Sequence, residues 1–101
     1  MGLFARWPQA HESLTVAGLK ILYFAWVRER IGLDEEIFDL RDPGLTVAAL
    51  LDVLSAQSGA HASAFEDRSR LRAALDQRFV PLDTPIGQAS ELAIFPPVTG
   101  G

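Results

Sequence analysis

Leu19-Lys20-Ile21-Leu22-Tyr23-Phe24-Ala25-Trp26 is nearly all apolar and rich in residues that favour extended backbone, so it reads as a β-strand. A run this apolar suits a central strand covered on both faces. Arg28-Glu29-Arg30 breaks the run, and Gly32 ends a short turn beyond it. Residues 35–40 alternate loosely and read as a second strand, closing at Asp42-Pro43-Gly44. In that turn Pro presets φ, Gly supplies conformational freedom and the Asp side chain bonds back to the main chain. The two strands are expected to form a wide antiparallel pair.

Downstream, Thr46 is a fitting N-cap for a helix whose apolar residues Val47, Leu50, Leu51 and Leu54 fall at i, i+3, i+4 and i+7, with Gly59 as its stop. Residues 60–69 read as a connecting loop with room for one helical turn around 62–65. Short strands are expected at 71–75 and 78–80 around Asp76-Gln77, then a turn-rich connection at 81–85 and a last strand at 91–95. Strand, strand, helix, short strands and last strand make an α+β domain.

With 101 residues, 49% hydrophobic and 22% charged, the chain is one domain with one core. A formal charge of −4 argues against nonspecific nucleic-acid binding. No cysteine is present, which removes disulfides, thiolate metal ligands and thiol nucleophiles and fits a cytoplasmic protein. The longest apolar stretch, 19–27, is far short of the ~20 residues a membrane span needs. Residues 1–17 lack the pattern of a secretory signal, and Arg6 stands where a myristoylation motif has Ser or Thr. They read as a loosely ordered extension from which Phe4, Trp7 and Leu14 are able to dock on the domain. His11 and His61 have no supporting ligand pattern, and neither is assigned a metal.

The ending Phe95-Pro96-Pro97-Val98-Thr99-Gly100-Gly101 carries most of the functional information. Two residues without Cβ atoms enter a cleft that excludes ordinary side chains, and nothing beside the Gly101 carboxylate obstructs attack on a phosphate. The prolines hold the base of the tail extended, so the six residues beyond Phe95 reach at most roughly 20 Å. The chain has no Gly-rich phosphate loop with an adjacent Lys, so activation of that carboxylate falls to a partner.

Four pieces of the chain, in order, resemble the MoaD/ThiS sulfur-carrier family of ubiquitin-like proteins, which includes small subunits of molybdopterin synthase. They are Leu22-Tyr23-Phe24-Ala25-Trp26-Val27-Arg28-Glu29, Thr46-Val47-Ala48-Ala49-Leu50, residues 71–77 and residues 91–101. The Phe-Ala-x-x-Arg-Glu element and the Phe-Pro-Pro-Val-Thr-Gly-Gly ending are the specific ones. Two places depart from the family: Asp76 stands where Asn is usual, and Gln88-Ala89-Ser90 where an Asp/Gly-rich turn is usual. The extension 1–17 is also outside the usual pattern.

The resemblance implies a ubiquitin-like β-grasp fold, a mixed sheet of about five strands with one main helix packed on one face. The domain would span 18–95 and the tail 96–101. It further implies that a MoeB-like adenylyltransferase uses ATP to activate Gly101, which becomes a thiocarboxylate (1-thioglycine). That end would donate sulfur to cyclic pyranopterin monophosphate in a MoaE-like large subunit, within a heterotetramer of two small and two large subunits. Catalytic acids and bases are then expected in the large subunit, with no cofactor bound to this chain. Gly101 is the reacting position and Gly100 its steric companion. Phe24, Arg28, Phe79, Phe95, Pro96, Pro97, Val98 and Thr99 are the expected partner contacts. Taken alone, Arg28 equally suits a local pair with Glu29 or Asp34, and Arg68, Arg70 and Arg72 would share one face if extended. Alternative functions on the same fold are a carrier for thiamin or another thiolated metabolite, against which the Phe-Ala-x-x-Arg-Glu element counts for thiamin, and a ubiquitin-like modifier joined to lysines.

Overall fold

A computed structural model describes residues 18–97; the expected extension 1–17 and the tail residues 98–101 lie outside the described residues. Its elements in chain order are β1 (Gly18–Tyr23), α1 (Ala25–Ile31), β2 (Glu35–Asp39), α2 (Val47–Gln57), α3 (Gly59–Ala64), a 3-10 turn (Arg68–Arg70), β3 (Arg72–Leu75), β4 (Arg78–Val80) and β5 (Glu91–Phe95). The five strands form one sheet in the order β2-β1-β5-β3-β4. β1 is antiparallel to β2 and parallel to β5, and β5 is antiparallel to β3. A mixed sheet with its main helix on one face is the β-grasp arrangement.

Alternation along the strands decides which face is filled. Leu19, Ile21 and Tyr23 of β1 and Leu92 and Ile94 of β5 point to the helix side and are buried. Val47, Leu50, Leu51 and Leu54 of α2 meet them there, each at most 2% exposed. Each such aliphatic side chain contributes about 1.5–3 kcal/mol by leaving water. On the opposite face Gly18 and Lys20 are exposed and Leu22 is half-buried, so β1 is covered on one face and not on both as its composition suggests.

The opening apolar stretch also ends as a strand sooner than expected. Phe24 is still extended, but Ala25 has φ 55, and from there Trp26 to Ile31 wind into a helix. Val27 and Ile31, four residues apart, are its buried stripe, and Gly32 at φ 89 closes it by donating its N–H to the Arg28 carbonyl at 2.8 Å. The residues read as a break and turn are therefore a helix. A left-handed alanine costs roughly 1–2 kcal/mol, which the packing of Val27 and Ile31 into the core offsets.

Thr46 caps α2 as expected, its Oγ1 accepting from Ala49 N at 3.0 Å. Gly59 does not end the helical region. Ser58, extended, closes α2 and caps α3 by accepting from His61 N at 3.0 Å. The expected loop over 60–69 is thus a two-turn helix followed by a 3-10 turn, in which Asp67 accepts from Ser69 N at 3.1 Å. Two other N–H groups of the first turn of α2 find acceptors in the turn-rich connection: Val47 donates to Thr84 O at 3.0 Å and Ala48 to Leu82 O at 2.8 Å.

Asp76 and Gln77 join β3 to β4 with φ 49 and 72, the positive values a two-residue hairpin requires. The Asp76 carboxylate accepts from Ser90 N at 3.0 Å and Glu91 N at 3.1 Å. The two places that depart from the family pattern are therefore one structural unit. It lies at the end of the sheet opposite Phe95, away from the tail.

Candidate functional site: the end of the sheet where the tail leaves

Because β1 and β5 run parallel, the end of β1, the end of β5 and the start of β3 lie together at one end of the sheet. The chain leaves that end at Phe95-Pro96-Pro97, with Pro96 half-buried and Pro97 exposed. Val98, Thr99, Gly100 and Gly101 follow outside the described residues.

The cross-strand register sets what surrounds the exit. Phe95 pairs with Arg72, and Phe79 pairs with Ala74, two residues along the same face of β3. Arg72 and the small Ala74 flank this diagonal on β3, and across it the Phe79 and Phe95 rings meet at 5.4 Å between centroids. They line an open depression of about 390 Å³ together with Arg72, Ala73, Val80 and Pro81. Phe79 is 79% exposed, so its ring is not core. Phe24, 46% exposed, stands one residue past the last β1–β5 pair, and its N–H donates to Ile94 O at 3.2 Å. It is on the same end and, by alternation, the same face, with no ring contact to the other two. Arg28 reaches Asp34 loosely at 3.9 Å, the local pair its sequence context suits. Arg68, Arg70 and Arg72 do not share a face, because Arg68 and Arg70 fall in a 3-10 turn and only Arg72 is in a strand. Arg68 turns back to Phe65 O at 2.6 Å and Asp52 at 2.8 Å, while Arg72 donates to Leu71 O at 2.9 Å.

A polar cluster that the sequence does not signal lies under the sheet on the helix side. Tyr23 Oη donates to Glu36 Oε2 at 2.6 Å, and the same oxygen lies 2.6 Å from His61 Nε2, while His61 Nδ1 lies 2.6 Å from Ser58 Oγ. Since a carboxylate only accepts, the Nε2 proton points to Glu36. Burial, then the Glu36 hydrogen bond and its charge, push the Tyr23 phenol well above its ordinary value. The cluster joins β1, β2 and α3. Among the described residues no group of His, Asp and Glu is arranged to hold a metal. No helix among them is long and apolar enough to cross a membrane.

Residues 21–101, four-fifths of the chain and including the whole exit region, match the ThiS family. The chain belongs to the ThiS family. It is 45% identical over 83 residues to the molybdopterin synthase sulfur carrier subunit of Escherichia coli (strain K12), covering 82% of this chain and 99% of that protein. The Haemophilus influenzae protein of the same name is 37% identical with the same coverage. Among solved structures, small archaeal modifier protein 1 of H. volcanii is 28% identical with a TM-score of 0.62, covering 81% of this chain and 99% of that one.

The geometry separates the aromatics by what their loss would do. Phe79→Ala is expected to melt within about 1 kcal/mol of the parent, since truncation at an exposed position opens no cavity. If the ring anchors a partner, affinity for that partner falls by about 2 kcal/mol, roughly 30-fold. Thermal unfolding and titration against the large subunit of a molybdopterin synthase check both halves. Unchanged affinity would remove Phe79 from the docking face.

Proposed function

We propose that this chain is a sulfur carrier of molybdenum cofactor biosynthesis, acting as the small subunit of molybdopterin synthase. The observation that carries the reading is the continuity of β5 with the tail: a strand paired on both sides ends at Phe95 and passes through Pro96-Pro97 into Val98-Thr99-Gly100-Gly101. The near full-length identity to the E. coli carrier subunit supports the same reading.

In this reading an oxygen of the Gly101 carboxylate attacks the α-phosphorus of ATP on an adenylating partner, and pyrophosphate leaves. A sulfide-level donor then forms the C–S bond as the C–O bond to AMP breaks. The thiocarboxylate enters the large subunit and gives its sulfur to cyclic pyranopterin monophosphate: a carbon–sulfur bond forms on the substrate, and water cleaves the Gly101 acyl C–S bond and restores the carboxylate. Two sulfurs are needed per dithiolene, so two carriers are consumed per product, in keeping with two small and two large subunits. This chain contributes a rigid exit, a side-chain-free end and an apolar face of Phe24, Phe79 and Phe95. Acid and base groups belong to the large subunit. Residues 18–95 form the domain proper and 96–101 the working tail.

Likeness to an archaeal modifier protein supports a second reading, in which the activated end is joined to lysines of other proteins. One experiment separates the two. After incubation with an adenylating enzyme, ATP and a sulfur donor, the intact mass of a carrier rises by about 16 Da, oxygen being exchanged for sulfur at the unobstructed terminus. Lysine-linked adducts without that shift would establish the modifier instead.

A further inference from the structure

On the helix side of the exit, two guanidinium groups lie over one indole. The Arg70 carbon Cζ stands 4.7 Å from the Trp26 ring centre and that of Arg30 5.5 Å. Trp26 is half-buried in α1, which packs on β5 and α3, so it is a fixed platform. Arg30 is also within 3.4 Å of Ser63 Oγ on α3. Both arginines are exposed. Among the described residues, Arg28 and Arg68 have carboxylate partners, Asp34 and Asp52, whereas none stands within 4.0 Å of Arg30 or Arg70.

We infer that the Arg30–Trp26–Arg70 stack is a preordered cationic docking element, and that it meets an acidic surface of the adenylating enzyme beside the channel that takes the tail. The inference rests on the carrier reading. Stacking on the indole holds each long side chain in place before any partner arrives, which lowers the entropy cost of contact. A carrier must bind its activating enzyme, leave it and then bind the large subunit. Exposed charge suits the transient encounter, because it speeds association without burying much area. The apolar depression at Phe79 and Phe95, on the other face of the sheet, suits the longer-lived complex.

The test uses the full chain carrying R30E and R70E together, with R30K/R70K as the charge-preserving control. ATP-dependent pyrophosphate release by the adenylating enzyme is measured across carrier concentration at low and high ionic strength. At low salt kcat/KM should fall at least about tenfold for the reversed chain, with kcat nearly unchanged, and the gap should close as salt rises. The lysine pair should stay within about threefold of the parent, since it keeps the charge. A carrier with a chemically installed thiocarboxylate and the same reversal should deliver sulfur to the large subunit at the parent rate. Equal kcat/KM at low salt, a loss that persists at high salt, or an equal loss with the large subunit would each overturn the inference. If the parent chain is not activated at all, the carrier reading falls and this inference with it. If the parent and the reversed chain are activated alike, only the docking element is lost.

Discussion

A chain that lacks Gly101, or carries one alanine after it, should fold as the parent does and transfer almost no sulfur. Each residue of extended chain spans roughly 3.5 Å, so deletion withdraws the carboxylate by about that distance from the phosphorus it must attack. Misplacement of a reacting group by about 1 Å already costs on the order of 100-fold, so the loss should exceed 100-fold. In the carrier reading an added alanine fails for a second reason: it puts a Cβ where the working end of the tail has none. Neither change touches the core, which ends at Ile94 among the described residues of β5. Thiocarboxylate formation followed by intact mass, with a thermal melt beside it, checks both statements. A variant that transfers sulfur at the parent rate would sink the carrier reading.

Most of the sheet is legible in the sequence, because local signals and tertiary packing agree there. The strand at 78–80 and the last strand at 91–95 stand where their composition puts them. Thr46 and the i, i+3, i+4, i+7 apolar series do the same for α2. The misreadings fall where one local signal conceals another. Phe24-Ala25-Trp26 continues an apolar run, yet the helical spacing of Val27 and Ile31 overrides it, and a positive φ at Ala25 makes the switch. Gly59 looks like a stop, but Ser58 caps a new helix before that glycine acts as one. At the exit, residue types reveal the tail and its aromatic neighbours, whereas the contact of Arg70 with Trp26 joins residues some forty positions apart and has no local signature. The same is true of Glu36, whose two partners come from different elements.

Glu36→Ala should be among the most destabilising single changes away from the aliphatic core. The carboxylate accepts from Tyr23 Oη and His61 Nε2, and both of those residues are buried. Truncation leaves two polar groups without an acceptor, each costing about 1–3 kcal/mol, so a loss of about 3 kcal/mol is expected. Glu36→Gln keeps an acceptor oxygen at the same reach and should lose about half as much. Chemical denaturation at neutral pH measures both, and an alanine variant within about 0.5 kcal/mol of the parent would show that the cluster contributes nothing. The same cluster sets an alkaline limit. Tyr23 is the single tyrosine, and its phenol holds its proton to higher pH when folded than when unfolded. Its contribution is therefore complete below about pH 10, where the unfolded chain begins to ionise. Above that, the unfolded state gains and stability falls by about 1.4 kcal/mol per pH unit from this group. Phenolate absorbance should accordingly appear together with unfolding, not before it. Tyr23→Phe should melt lower at neutral pH yet lose the steep alkaline limb, and a limb that survives that change would belong to another group.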